Sequence, residues 1–223
     1  MKNAIVSWSG GKDSCQATYL AMQQGYAISY IANMVSKKYN RVGFHGVKDT
    51  VIADQADAIG IPLWQGKTMG FAYEKELQAH LKKKAKDVNT LVFGDIFLED
   101  CLAMAKRVSN GVGLSLLEPL WGEKPEEVLQ NFIKAGFKAV IVSTQGNLLE
   151  KEWVGRTINK SFLSDIQKRK DVDPCGENGE YHSLVIDGPI FKKRIEITKS
   201  AKIFRDGYWF LDIQEYRLAS KSN

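Results

Sequence analysis

The chemistry this chain can do is concentrated in two short segments, Ser9-Gly10-Gly11-Lys12-Asp13-Ser14 and Asp173-Pro174-Cys175-Gly176-Glu177-Asn178-Gly179-Glu180-Tyr181-His182. The first follows the apolar run Ala4-Ile5-Val6 and precedes a helical pattern, which makes it the loop of a strand–loop–helix unit. Glycines let backbone N–H groups approach an anion, a helix N-terminus adds unpaired donors, and Lys12 supplies a mobile positive charge. Such a loop is suited to phosphate. Its spelling differs from the common G-x-x-x-x-G-K-[ST] loop, because the glycines are adjacent and Asp13 separates Lys12 from Ser14. A glycine turn followed by an Asp or Ser helix cap is the plainer alternative.

The second segment gathers Glu177, Glu180, a thiol, an imidazole and two glycines, a composition typical of a functional loop on a rigid scaffold. A surface turn between a helix and a hairpin would also produce it. Cys175 and His182 could be nucleophile and base, but no third orienting group is identifiable. As zinc ligands they lack a matching pair elsewhere in the chain. Glu177 and Glu180 read better as recognition groups for a cationic substrate feature, or as orienters of an incoming amine. Trp121 and Tyr181 would add cation–π contacts if they face the same crevice; core packing is equally open for Trp121. Asp95, directly after Gly94, is either a Mg²⁺ or amine-orienting group or the cap of the next helix. His45 lines a site or starts a helix. Cys15 and Cys101 fall in helical patterns and read as small buried residues.

The elements that must position these groups alternate strand and helix. Helices are predicted over Asp13–Gln24, Val47–Ile59, Phe71–Lys86 and Leu98–Val108. Strands are predicted at 4–6, Ala27–Met34, Ile61–Trp64, Thr90–Phe93 and Ser115–Trp121. Alternation of this kind implies βαβ crossovers and a mostly parallel, doubly wound sheet with helices on both faces. Ligands then sit beyond the carboxyl ends of the strands, where Ser9–Ser14, Asn33-Met34 and Gly94-Asp95 converge. From about residue 123 the pattern changes to a helix over Pro125–Ala135, a strand at Ala139–Val142, a helix at Ser161–Lys170, and short antiparallel strands from Ser183 to Leu218. Their turns fall at Asp187-Gly188-Pro189 and Asp206-Gly207. The reading is an α/β domain over residues 1–122 and a smaller C-terminal α+β domain over 123–223.

Bulk properties bound the function. A chain of 223 residues with 44% hydrophobic and 26% charged residues can bury a genuine core. No apolar run approaches the roughly 20 residues of a membrane helix, and no signal peptide is apparent. Three widely spaced cysteines form no disulfide framework, which points to a reducing, cytoplasmic setting. The net charge of +5 tolerates anionic ligands without demanding nucleic acid, and the run Lys82-Lys83-Lys84 with Lys86 reads as a solvated helix face.

Taken together, these segments resemble the ATP-pyrophosphatase branch of the adenine nucleotide α-hydrolase (HUP-like) superfamily, and more closely the diphthine–ammonia ligase family. The resemblance is carried by Ser9–Ser14 with Cys15, His45, Gln55-Ala56, Gly60-Ile61-Pro62-Leu63, Phe93-Gly94-Asp95-Ile96 with Leu98-Glu99-Asp100, Glu118-Pro119-Leu120-Trp121, Gly155-Arg156 and the segment 173–182. It implies cleavage of ATP between its α and β phosphates, adenylation of a substrate carboxylate, and displacement of AMP by ammonia. In archaea and eukaryotes the implied substrate is diphthine, a modified histidine of elongation factor 2. The resemblance further implies ATP contacts from Ser7, Ser9, Gly10, Gly11, Lys12, Asp13, Ser14, Asn33, Met34, His45 and Gly94, with Mg²⁺ at Asp13 and Asp95. Catalysis would fall to Lys12, Asp13, Asp95, Glu177 and Glu180. Substrate contacts would come from Trp121, Cys175, Gly176, Glu177, Glu180, Tyr181 and His182. Bacterial relatives, which have no diphthamide, would need another carboxylate. A tRNA-modifying enzyme with this loop and a non-catalytic nucleotide sensor are the other readings. The chain shows no glutaminase segment, so ammonia would arrive free or from a partner, and a homodimer is compatible with all of this.

Overall fold

In a computed structural model, residues 2–83 and 87–221 are described. Lys84 and Lys86 of the basic run, and the last two residues, lie outside them. The N-terminal half alternates β1 (Asn3–Ser7), α1 (Lys12–Gln23), β2 (Ala27–Ser36), α2 (Asp49–Ile59), β3 (Leu63–Thr68), α3 (Tyr73–Lys82), β4 (Thr90–Val92), α4 (Glu99–Val112) and β5 (Ser115–Leu117). All four pairings among these strands are parallel, and the order is β3-β2-β1-β4-β5. The expected parallel sheet is therefore present. Its order reverses between β1 and β4, the topological switch point where open α/β sheets bind ligands.

Two expectations about strands needed correction. The strand beginning at Ser115 stops at Leu117 and gives way to a turn in which Trp121 N–H donates to the Glu118 carbonyl. Pro119 has no N–H to continue a ladder. The strands after residue 181 are long rather than short. The second sheet, ordered β7-β6-β9-β8, comprises β6 (Lys138–Gln145), β7 (Tyr181–Asp187), β8 (Lys193–Arg205) and β9 (Tyr208–Ser220), all antiparallel. β8 and β9 form a hairpin closed at Asp206-Gly207, both with positive φ (53° and 83°), the geometry of a two-residue type I′ turn.

α5 (Pro125–Lys134) and α6 (Lys160–Ile166) complete the fold. α5 packs on α1: Gln16 donates to the Val128 carbonyl at 3.1 Å, and Val128, Leu129 and Phe132 join the core that holds Cys15, Ala17 and Ala21. The same core takes in Tyr181, Leu184 and Val185 of β7, so the two sheets share one interior. A second cluster under α3 and α4 contains Ile5, Met34, Leu77 and Leu91.

Candidate active site

The loop after β1 is held open by a clamp that the resemblance named but did not explain. Gln55 of α2 is fully buried; its amide donates to the Gly10 carbonyl (3.0 Å) and the Val185 carbonyl (2.7 Å), and its oxygen accepts Trp8 Nε1–H at 2.9 Å. Val185 N–H in turn donates to the Gly10 carbonyl at 2.9 Å, and Lys12 N–H to Ser183 Oγ at 3.1 Å. Strand β7 thus lies directly on the loop. Gly10 has φ 81°, and a Cβ there would stand 2.6 Å from Ile52 Cδ1 and 2.7 Å from Gln55 Oε1. Only glycine fits. Gln55→Ala strands the Trp8 N–H donor and removes both amide bonds. We expect a loss of roughly 1–2 kcal/mol of stability, read by thermal denaturation, with a further rise in the nucleotide KM because the loop loses its anchor.

Gly11 caps α1 with extended backbone (φ −83°, ψ 178°), and its N–H donates to Ser9 Oγ at 3.2 Å. A Cβ at Gly11 would meet His45 Cε1 at 2.9 Å. Ser9 and Ser14 hydroxyls lie 3.2 Å apart, and Ser14 also donates to the Gly11 carbonyl. Lys12 is 4% exposed, contacts both Asp13 oxygens (2.8 and 2.7 Å), and sits 5.4 Å from the centre of the Tyr181 ring. Burial opposes the charged form of the Lys12 ammonium most strongly, yet Asp13 together with Tyr181 and Cys175 leaves its pKa well above the ordinary value. Across the switch point, the chain after β4 approaches α1 so closely that a Cβ at Gly94 would stand 2.9 Å from the Asp13 backbone.

Four carboxylates meet at this point. Asp95 follows β4, and Glu118 follows β5 on the neighbouring strand end. Burial and the Asp13 charge push the Asp95 carboxyl up to about 6, while burial and Asp95 push Glu118 up to about 8. Such a pair holds one proton between two like charges. The two carboxyls hydrogen-bond each other, and Glu118 also accepts the Asp95 backbone N–H. Glu177, from the distant glycine-rich loop, accepts Ile96 N–H at 2.8 Å, and burial together with Asp13 raises it to about 7. The two segments singled out by composition therefore form one site. Tyr73, whose hydroxyl bonds Ser7 beside Asp95, and Cys101 also border it. Cys101 is half-buried rather than buried, and burial with the surrounding carboxylates lifts its thiol to about 11.

The donor set fits a nucleotide phosphate with a hard cation. Gly10 and Gly11 let the loop pack against Ile52, Gln55 and His45, Lys12 places a charge at the start of α1, and the Asp95 carboxyl is close enough to feel the Asp13 charge. Among the described residues, no group of three or more His, Cys, Asp or Glu could hold a metal unaided. Magnesium commonly takes one or two carboxylates and completes its shell with phosphate and water.

The sequence matches two family models, described as "Diphthamide synthase N-terminal domain" over residues 1–116 and "Diphthamide synthase C-terminal domain" over 124–219. The chain belongs to the diphthamide synthase family. Curated relatives named "Diphthine--ammonia ligase" include those of Mus musculus and Homo sapiens, each 25% identical, aligned over 95% and 94% of this chain and 88% of each relative. The relative from Schizosaccharomyces pombe is 26% identical over 85% of this chain, which spans only 35% of that longer protein. A solved structure described as a predicted subunit of tRNA methyltransferase from Methanocaldococcus jannaschii covers 84% of this chain and 98% of its own, at 14% identity and TM-score 0.45.

Within this diphthamide synthase fold, several expected ligand contacts turn inward. Glu180 is 4% exposed and serves its own loop, with Oε1 accepting Asp173 N–H (2.8 Å) and Asn178 Nδ2 (3.1 Å). Tyr181 is 2% exposed, donates its hydroxyl to the Pro174 carbonyl at 2.6 Å, and faces Lys12 instead of a ligand. Gly176 (φ 67°) is required because a Cβ would collide with the Tyr181 ring at 2.7 Å. Cys175 donates to the Pro125 carbonyl at 3.0 Å, and burial raises its thiol pKa strongly. His182 is stacked in a row with His45 (4.6 Å) and Phe44 (6.0 Å). Cys175 and His182 thus serve different neighbourhoods, and no nucleophile–base pair forms. Asn33 ties three strand ends, donating to the Trp8 carbonyl and accepting Gln65; Met34 belongs to the second core. Trp121 is half-buried in the turn whose Gly122 N–H reaches the Ile96 carbonyl, beside Glu177.

Proposed function

We propose that this chain is an ATP-dependent, AMP-forming ligase that converts a carboxylate to an amide with ammonia, and that its substrate is diphthine on elongation factor 2. The observation that carries the reading is the bond from Glu177 to the Ile96 backbone beside Asp95, while β7 is bonded to Gly10 and Lys12. One side of the crevice is suited to phosphate and the other to ammonium, which must lose a proton before it attacks as ammonia.

In the proposed sequence the substrate carboxylate oxygen attacks the α-phosphorus, and the bond to the bridging oxygen of the β-phosphate breaks as pyrophosphate leaves. Ammonia then attacks the acyl carbon and AMP departs. The loop N–H groups and Lys12 bind the phosphates and neutralise the leaving group. Asp13 and Asp95 would hold Mg²⁺, which supplies further neutralisation when bound. Glu177, raised to about 7, is poised to bind ammonium and accept the proton it must lose, with Glu118 and Asp95 sharing a proton beside it. Among the described residues, no helix is long and apolar enough to cross a membrane. Free Cys15, Cys101 and Cys175 suit the reducing cytoplasmic setting in which we place the reaction.

The test combines the protein with ATP, Mg²⁺, ammonium and diphthine-bearing elongation factor 2. AMP and pyrophosphate are expected in equal amounts, with one amide formed per AMP and dependence on both ammonium and the carrier. ADP as product, or AMP formation indifferent to ammonium, overturns the reading.

A further inference from the structure

We infer that the basic, aromatic rim built by residues 37–48 and the tip of the β8–β9 hairpin docks the protein that carries the substrate carboxylate, and that this partner presents an acidic face. The inference rests on the ligase reading above, since it supplies the reason for a macromolecular substrate.

Charge is the first ground. Residues 37–48 contain Lys37, Lys38, Arg41 and Lys48 and no carboxylate; residues 199–210 contain three cations and one, Asp206. Four of these cations are met by carboxylates, Lys37 by Glu76, Arg41 by Asp212, Lys199 by Glu215 and Arg205 by Asp206, so the seven cations with these four carboxylates leave the rim at +3 of the chain's net +5. Such an imbalance steers an oppositely charged partner to one face.

Contiguity with the site is the second. His45 lies against Gly11 of the phosphate loop and bonds the Ser183 carbonyl through Nδ1 at 3.1 Å. Phe44, 76% exposed, extends the His45–His182 row outward. Gly46 packs on Phe210, and Arg205 spans the Phe210 and Tyr39 rings, each 5.6 Å away. The rim is thus the outer wall of the crevice. A protein held there presents a side chain towards the phosphate loop.

The rings themselves favour a protein over nucleic acid. Phe204, 55% exposed, leans on Trp209 at 4.9 Å, and Lys151 covers Trp209 at 5.6 Å. Their faces are engaged by cations and by one another, whereas single-stranded nucleic acid needs open faces for successive bases. Arginine and aromatic side chains in a shared, half-packed surface are the composition of protein interfaces.

The experiment compares wild type with a Lys38→Glu/Arg205→Glu double variant, a charge-conserving Lys38→Arg/Arg205→Lys control, and Phe204→Ala. The dissociation constant for diphthine-bearing elongation factor 2 is measured directly, alongside the KM values for carrier and for ATP. Reversal is expected to weaken carrier binding and raise its KM by about 10-fold or more, with the ATP KM unchanged and the control near wild type. Wild-type affinity falls as salt rises from about 50 to about 300 mM, and the reversed variant loses most of that dependence. Carrier affinity unchanged by reversal overturns the inference, as does an RNA oligonucleotide that competes with the carrier and loses affinity in the same variant. If the wild type binds carrier in a charge-dependent way but forms no AMP, the docking surface stands and the ligase reading fails.

Discussion

Lys12→Ala lowers AMP formation by at least about 100-fold while the protein remains folded. The phosphate loop has one side-chain cation, and a pyrophosphate leaving group concentrates more negative charge than backbone N–H donors can neutralise alone. The fold survives because Asp13, the partner left behind, is 27% exposed and can be hydrated. Tyr181 keeps its hydroxyl bond to Pro174 and its edge contact with Phe162. Without nucleotide the ammonium is spent on both Asp13 oxygens, so binding must exchange that pairing for one to phosphate. Asp13→Asn therefore separates two roles. It frees Lys12, which tightens or preserves nucleotide affinity, and it removes the proposed Mg²⁺ ligand, which lowers turnover. Titrating ATP binding calorimetrically beside an AMP assay checks both. AMP production by Lys12→Ala within a few-fold of wild type would mean the phosphates bind elsewhere.

The sequence disclosed the sheet and the loop because both are written locally. A β-run, adjacent glycines and a helical period sit in consecutive residues, and α2 and α4 end at Gly60 and Gly113, both left-handed. It also singled out Glu177 through the glycine-rich segment, and the structure sets that side chain at the Ile96 N–H beside Asp95. What it hid is set by contacts across long separations. Glu180 and Tyr181 look like site residues in a string because they neighbour Glu177, yet Tyr181 starts β7 with its ring packed inward against Gly176, and Glu180 is tied to Asp173 N–H and Asn178 in the loop before it. Gln55 reads as an ordinary polar position on an amphipathic helix; its role depends on β7, 130 residues away, arriving over the loop. Glu118 was legible only as part of a family motif. Its chemistry comes from standing on a strand adjacent to Asp95, which requires the strand order. The hairpin was expected at Asp206-Gly207 but its length was not, because exposed strands such as β8 carry lysines and serines that blur the apolar alternation.

Raising the pH from about 6.5 to about 8.5 destabilises the ligand-free protein by about 2 kcal/mol, and Glu118→Gln removes most of that slope. The sign follows from the direction of the shifts. Glu177 (about 7) and Glu118 (about 8) hold protons in the folded state that the unfolded chain releases near 4.5, so the folded state binds more protons and loses stability as pH rises through those values. The size is reduced from the full shifts because both groups keep partial access to water. Asp95, near 6, is largely ionised before this window opens and sets the repulsion that Glu118 then meets. The histidines act elsewhere. Burial lowers His45 to about 4 and depresses His182 as well, so their contribution is present above about 6.5 and is lost only as pH falls below it. Between 6.5 and 8.5 the carboxylates are therefore read without that interference. Urea titrations at several pH values in this range should show wild-type stability falling and the Glu118→Gln profile nearly flat and higher at the alkaline end. A wild-type profile that rises across the window would mean the carboxylates are already ionised and compensated at neutral pH. In that case the proton-accepting role assigned to Glu177 would go with it, since a carboxylate ionised far below neutrality is a weak base.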